Sequence, residues 1–330
     1  MKSFIWTECL GCPEIGSVAI NSFLLTHHNL TLNVFVYADD LPYLPKHNRI
    51  VYHTFFDSSK FLFFALKVQS RFSKVFQPSE SLFRSYFKKG HKGTSLLWAY
   101  ILKKYSFCDT LIHFDSDVVF IDNAIDRLLS LSDEYDFIGQ CRPYKNNPNN
   151  DFVRSYPDLV QTCCFLFKPS LIPSIYRLSQ RNLALAIQGR NKITGHSLLD
   201  FFDQLSYEAL SCGARFYFMD VEDFGGFSPD GSRKSNFSSF NDYPTKYKID
   251  VGRYLIHFSA VGSGYNIWKN SASSGSPEYD KYALDRFALF MKCFYPSIPP
   301  ISSDIDQYAG LDSFFDHLPV FSKIRDSLLT

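Results

Sequence analysis

Along most of this chain, short runs of β-branched and aromatic residues take turns with stretches of helical period. That alternation constrains the fold more than any other feature of the sequence. It begins at once. An apolar run at 3–8 closes on Thr7 and Glu8, Gly11-Cys12-Pro13 breaks the chain, and an apolar helical pattern follows over 15–26. A second strand pattern at 32–38 is stopped by Asp39-Asp40 and then by Pro42 and Pro45, so the chain opens on a β-α-β unit. Further strands are predicted at 50–56, 110–114, 136–139, 163–167, 216–219 and 254–258, with a short apolar run at 118–121. Helices are predicted at 95–105, 124–131, 170–189 and 197–212. Residues 59–89 follow no single period, 90–94 read as a break, and the Pro/Asn-rich 142–151 reads as a surface loop. The Gly/Ser/Asn-rich 225–243 reads as a lid or substrate loop. The expected fold is α/β, a mostly parallel central sheet with helices on both faces. It forms one domain over 1–270, and 271–330 is a mainly helical C-terminal extension packed on it. In such a sheet, ligands bind at the carboxyl ends of the strands.

Composition removes several classes of function. A chain of 330 residues has room for a large buried core, and 34 Lys plus Arg against 33 Asp plus Glu leave no net field to attract nucleic acid. No stretch stays apolar for about 18 residues, and Glu8 comes too early for a secretory signal. The expectation is a cytoplasmic protein without a transmembrane segment, peripheral to a membrane at most. The eight cysteines (Cys9, Cys12, Cys108, Cys141, Cys163, Cys164, Cys212 and Cys293) are scattered through apolar runs, as reduced buried thiols are. Cys9 and Cys12 have C-x-x-C spacing, but no second ligand pair at comparable spacing accompanies them to build a zinc site. The 34 Phe and 20 Tyr fill a core first and offer stacking surfaces second.

The chemistry gathers where the most apolar strand ends. Thr110-Leu111-Ile112-His113-Phe114 runs directly into Asp115-Ser116-Asp117. If the extended backbone persists, both acids leave the same side of the chain and face one point. Two such carboxylates repel each other, and a hard divalent cation turns that repulsion into binding. An ion held there and bridged to a diphosphate stabilises the charge that grows on a leaving group. A bare D-x-D is common by chance; the apolar strand before it and the segment after it give it weight.

That segment, Asp115-Ser116-Asp117-Val118-Val119-Phe120-Ile121-Asp122-Asn123-Ala124-Ile125-Asp126-Arg127-Leu128-Leu129, resembles the D-x-D block of GT-A glycosyltransferases. The likeness is greatest to the glycogenin-like and lipopolysaccharide galactosyltransferase-like group. A second stretch, Ile256-His257-Phe258-Ser259-Ala260-Val261-Gly262-Ser263-Gly264, is similar to the late His-Phe-x-Gly segment of that group, where the histidine completes the metal site. The resemblance implies Asp115, Asp117 and His257 as ligands of Mn²⁺ or Mg²⁺, with the nitrogen donor favouring Mn²⁺. By itself, a histidine in an apolar strand is more often a hydrogen-bonded core residue. The group's Lys-Pro-Trp after the histidine is replaced here by Tyr265-Asn266-Ile267-Trp268-Lys269.

The implied reaction takes a sugar from a nucleotide-sugar, UDP-sugar by default, to a hydroxyl of a glycan or other acceptor. Thr7 and Asp39, at the ends of the first two strands, become nucleotide contacts, although each also suits a cap or turn. Lys92 before the helix at 95–105, Ser116 between the two acids and Thr162 beside the strand at 163–167 become donor contacts. Asp200, and after it Asp203, fits a catalytic base at the start of the helix at 197–212, where a helix N-terminal acid is the plain alternative. A base suits inversion and the glycogenin-like motifs suit retention, and both stay open. A haloacid dehalogenase-type phosphatase would place its D-x-D on the first strand before Gly-Thr. A nucleotidyltransferase would need a Gly-rich basic loop where Gly11-Cys12-Pro13-Glu14 stands. A catalytically inactive sugar- or nucleotide-binding protein would lack metal affinity.

Overall fold

A computed structural model of the chain describes residues 2–55, 91–142, 158–172, 203–226, 249–271, 277–297 and 315–328. Most of the expected helix at 170–189, most of the Pro/Asn-rich loop, and the expected lid beyond Gly226 lie outside these residues. The strands are β1 (Ser3–Cys9), β2 (Leu32–Tyr37), β3 (Ile50–Phe55), β4 (Thr110–Phe114), β5 (Val118–Phe120), β6 (Phe137–Arg142), β7 (Leu159–Phe167), β8 (Phe216–Phe218), β9 (Asp250–Val251) and β10 (Leu255–His257). The α-helices are α1 (Pro13–Thr26), α2 (His91–Lys104), α3 (Ala124–Ser130), α4 (Asp203–Ser211), α5 (Val221–Phe224), α6 (Val261–Asn270), α7 (Pro277–Phe294) and α8 (Pro319–Leu328).

Seven strands form the main sheet in the order β3-β2-β1-β4-β7-β6-β8. All pairings are parallel except those of β7, which runs against both β4 and β6. Period-two alternation sorts the strand side chains onto two faces. Ile5, Cys9, Val34, Val36, Ile112 and Phe114 join Ala19, Ile20 and Phe23 of α1 and Ile125 and Leu128 of α3. Phe4, Trp6, Phe35 and Leu111 join Trp98 and Ile101 of α2 and Leu205 and Ala209 of α4. The expected mostly parallel α/β sheet with helices on both faces is therefore present. Full burial stabilises each such side chain by about 1.5–3 kcal/mol, so the two layers fix the sheet from either side.

Three expectations are corrected. The strand expected at 254–258 does not extend the main sheet; as β10 it joins β9 and β5, the latter formed by the apolar run at 118–121, in a separate antiparallel sheet in the order β5-β10-β9. The break at 90–94 is not one over its described part, because α2 already begins at His91 and runs through Gly93. A helical glycine costs about 1 kcal/mol, less than burial of Leu97, Trp98, Ile101 and Leu102 on the same helix returns. The extended run expected through Asp115-Ser116-Asp117 is interrupted by a turn between β4 and β5.

A third apolar cluster joins Ile15 and Val18 of α1 with Val119 and Ile256 of the small sheet and with Phe287, Phe290, Phe294, Phe321 and Ile324 of α7 and α8. The small sheet is thereby packed between α1 and the last helices. Helix α6 lies close on α7, since a Cβ on Gly264 would fall 2.0 Å from the Ala283 carbonyl oxygen. No helix among the described residues is long and apolar enough to cross a membrane. None of the eight cysteines is in a disulfide, and seven of them are buried.

Candidate metal site at the tip of the central strand

β4 ends at Phe114 because the next three residues turn. The Val118 N–H donates to the Asp115 carbonyl at 3.1 Å, and the chain re-enters as β5 in the small sheet. The extended geometry expected of Asp115-Ser116-Asp117 is thus replaced by a tight turn, with the two carboxylates at its ends. The turn is pinned on both sides. Asp115 N–H donates to the Cys163 carbonyl of β7 at 2.8 Å, and the Asp117 carbonyl accepts from Phe258 N–H at 3.1 Å. Antiparallel pairing sets His257 opposite Val118, the residue after Asp117. The result brings His257 Nε2 to 3.5 Å from Asp117 Oδ1. One ligand atom each from Asp115, Asp117 and His257 lies within 4.8 Å of the others. Two half-buried carboxylates and a buried imidazole make a donor set for a divalent cation. The residues present therefore fit the ion that the motif implies.

Behind this edge lies a second layer of charge that no motif announced. His113 is fully buried, and its Nε2 lies 2.7 Å from Glu8 Oε2. Its Nδ1 faces the Thr162 carbonyl at 3.3 Å and Asp115 Oδ1 at 3.9 Å. The other Glu8 oxygen accepts from Trp6 Nε1 at 3.0 Å. The rings of Trp98 and Trp6 stand 4.3 and 5.1 Å from the His113 ring. Burial pulls the His113 pKa down, but Glu8 and then Asp115 raise it above the ordinary histidine value. Burial, with the Asp117 and Glu8 charges, pushes the Asp115 carboxyl up to about 7 against the opposing pull of His113 and His257. His257 is also lowered by burial, yet Asp117 on one side and Asp250 on the other hold it well above the ordinary value.

The chain after His257 leads into α6. Ser259 and Ala260 take left-handed backbone, with φ of 33° and 66°. Ala260 stands where the His-Phe-x-Gly pattern has glycine, so a residue with a Cβ occupies a conformation glycine adopts freely. Ala260 is the N-cap of α6, and no side chain caps that end. Lys269, in the last turn, donates to the Tyr265 hydroxyl. Its charge lowers the Asp40 pKa, which burial raises on balance. Asp40 Oδ2 also accepts from Gly11 N–H at 2.7 Å, tying the ends of β1 and β2 together.

Ser116 is half-buried in the turn and its side chain hydrogen-bonds Cys12. Burial, with Asp40 and Asp117, pushes the Cys12 thiol up to about 12. Thr162 is half-buried on β7 and offers its carbonyl to His113. Asp39 is exposed beyond β2, and its neighbour Asp40 makes the structural bond. Thr7 is fully buried within β1, its hydroxyl without a partner among the described residues. Lys92 lies in the first turn of α2 and Asp203 opens α4, with side chains outside the description; Asp200 lies outside the described residues altogether. Reading of the sequence missed Glu8, His113 as a partner of Asp115, and Asp250. The signals available were an acid at a strand end and a histidine in an otherwise apolar strand.

No protein-family model matches the chain, and no curated protein matches it by sequence. Among solved structures it is similar to mouse xyloside xylosyltransferase 1 in its apo form, at 11% identity over 67% of this chain and 86% of that one, with a TM-score of 0.42. It is similar to the galactosyltransferase LgtC in complex with donor and acceptor sugar analogues, at 9% identity over 66% of this chain and 74% of that one, with a TM-score of 0.41. It is also similar to the bifunctional glycosyltransferase WbbM in its apo structure, at 12% identity over 67% of this chain and 39% of that one, with a TM-score of 0.40.

Proposed function

We propose that this chain is a metal-dependent glycosyltransferase that moves a sugar from a nucleotide-sugar, a UDP-sugar, to a hydroxyl of a glycan or other acceptor. The observation that carries the reading is the convergence of Asp115, Asp117 and His257 at the carboxyl end of the central strand. Three elements from two sheets cooperate to make it, and the arrangement follows the carboxyl end of β4, the end of the strands at which α/β sheets bind ligands.

In this reading Asp115, Asp117 and His257 would hold Mn²⁺, or Mg²⁺. Such an ion would supply positive charge to offset the charge that grows on a nucleoside diphosphate leaving group. The residues of the chain orient the rest. The uncapped first turn of α6 follows directly on the metal-site histidine and offers backbone N–H groups to phosphate oxygens. Ser116 and Thr162 border the metal edge on the donor side, and Lys92 belongs to the helix that leads into β4. Asp39 stands at the end of β2 on the nucleotide side. Thr7 is sealed below the tip of β1, so a direct contact from its side chain requires that tip to open. Asp203, which opens α4, or Asp200, three residues before it in the sequence, takes the proton from the acceptor hydroxyl if the reaction inverts configuration.

A thermal-shift panel of UDP-, GDP- and CMP-sugars with and without Mn²⁺ tests the proposal. A donor at 100 times its Kd adds about 2.7 kcal/mol to the folded state. The expected result is stabilisation by a UDP-sugar that needs Mn²⁺ and is lost in Asp117→Ala. Indifference to every nucleotide with every ion would end the transferase reading.

A further inference from the structure

We infer that Asp250 is a positioning residue for His257, and that through it Asp250 sets the strength and the ion preference of the metal site. The inference rests on the metal reading above and adds to it a residue that the D-x-D and His-Phe patterns do not contain.

Register makes the contact. β9 and β10 pair antiparallel with His257 directly opposite Asp250, so the two side chains share one face of the small sheet. On its other side β10 pairs with β5, which leads out of the Asp117 turn. The imidazole therefore stands between two carboxylates. Nδ1 lies 3.4 Å from Asp250 Oδ2, and Nε2 lies 3.5 Å from Asp117 Oδ1. Exposure falls along this row: the side chains of Asp115 and Asp117 are 33% and 14% exposed, and those of His257 and Asp250 are each 6% exposed. Asp250 is thus on the closed side of the ring, away from the opening and outside the group of three ligand atoms.

The hairpin that carries both residues is clamped. Gly252 N–H donates to the Leu255 carbonyl at 2.9 Å, Arg253 N–H to Glu222 at 2.8 Å, and Tyr254 N–H to Asp223 at 2.9 Å. The Asp223 carboxylate, itself buried, takes Arg253 at 2.6 Å and Arg127 at 3.4 Å. Backbone packs on backbone here. A Cβ on Gly252 would lie 2.3 Å from the Asp223 carbonyl oxygen, and one on Gly225 would lie 2.7 Å from Val251 N. Asp250 is accordingly delivered to Nδ1 by a rigid support.

The chemistry follows from the order of partners. A carboxylate on Nδ1 keeps the hydrogen there, fixes the ring plane, and leaves the Nε2 lone pair for an ion between Asp115 and Asp117. Loss of such an outer partner weakens metal binding by about 10- to 100-fold. A nitrogen donor also favours Mn²⁺ over Mg²⁺, so a misplaced imidazole narrows that preference.

The test is a Mn²⁺ titration of the full chain, followed by the electron paramagnetic resonance signal of the free ion and repeated with Mg²⁺ as competitor. It compares wild type, Asp250→Ala, Asp250→Asn, His257→Ala and the double variants. Asp250→Ala is expected to bind Mn²⁺ at least ~10-fold more weakly, with a smaller loss for Mg²⁺. Asp250→Asn, whose amide oxygen still accepts from Nδ1, is expected to recover part of the loss. Neither is expected to weaken binding further once His257 is alanine. A merely structural Asp250 would lower the urea midpoint without narrowing the Mn²⁺ to Mg²⁺ preference, and that pattern overturns the inference. So does an equal loss with and without His257. If Asp250→Ala fails to fold, Asp250→Asn is read against its own double variant in the same way. A wild-type chain that takes up no Mn²⁺ overturns the metal reading and this inference together. Wild-type binding that is indifferent to Asp250 overturns this inference alone.

Discussion

Acid should loosen this fold through one buried histidine, and the size of the effect follows from its surroundings. His27 follows the last residue of α1 and is 1% exposed. Its ring accepts at Nε2 from Ile125 N–H, at 3.1 Å, in the first turn of α3. The Thr26 hydroxyl gives its hydrogen to the Ser22 carbonyl at 2.8 Å, so at 2.8 Å from Nδ1 its oxygen accepts from the ring. The neutral tautomer with hydrogen on Nδ1 satisfies every partner, and a proton on Nε2 would confront the Ile125 N–H. Burial above all, with Arg49 and His28 adding repulsion, lowers the His27 pKa from 6.5 to about 3. A folded-state pKa below the unfolded value means stability present above pH 6.5 and lost as pH falls toward 3. Between pH 7 and pH 5 the unfolded chain gains a proton that the folded chain refuses, which costs about 2 kcal/mol. The perturbation is that pH step applied to wild type and to His27→Gln, whose amide oxygen still accepts from Ile125. Urea unfolding at both pH values is the assay. Wild type should lose about 2 kcal/mol more than the variant, and other titrating groups cancel in the difference. Parallel losses in the two proteins would refute the assignment of His27 as a buried neutral ring.

Ala260→Gly should raise stability by about 1 kcal/mol, because glycine holds φ of 66° without the Cβ penalty; an unchanged or lower urea midpoint would count against strain there. Gly264→Ala should cost about 3 kcal/mol or more and part α6 from α7, since its Cβ would fall 2.0 Å from the Ala283 oxygen. A wild-type midpoint for that variant would contradict the close packing of the two helices. Glu8→Ala leaves a ring nitrogen of the fully buried His113 without its partner and should cost about 1–3 kcal/mol. A midpoint equal to wild type would show that Glu8 is not needed to hold the imidazole.

The legible parts of the fold were those with a strong local pattern. β1, β2 and β4 are apolar runs ended by polar or Gly/Pro residues, and α1 carries a long apolar period with Pro13 at its start. The direction of β7 was not legible, because an apolar run reads the same whichever way it enters a sheet. Nor was the small sheet. Val118–Phe120 and Leu255–His257 look like any short buried strands, and their pairing across more than 130 residues depends on tertiary packing against α1 and α7. The start of α2 was missed because two glycines suggested a break, whereas burial of Trp98 and its neighbours carries the helix through Gly93. At the site, Asp115, Asp117 and His257 were readable as residue types in a known pattern. Their convergence was expected for the wrong local reason, since a turn rather than an extended strand brings the acids together. Glu8 and Asp250 are single acids with no spacing to mark them. The role of Asp250 exists only in the register of a hairpin whose first strand is two residues long.

A crystal of the full chain grown with MnCl₂ and UDP, with diffraction collected at the manganese edge, puts the central claim to its most direct trial. The expected result is one strong anomalous peak bonded to carboxylate oxygens of Asp115 and Asp117, to Nε2 of His257 and to the diphosphate of the nucleotide. A diphosphate seated elsewhere, or manganese held by other side chains while these three stay empty, would contradict it.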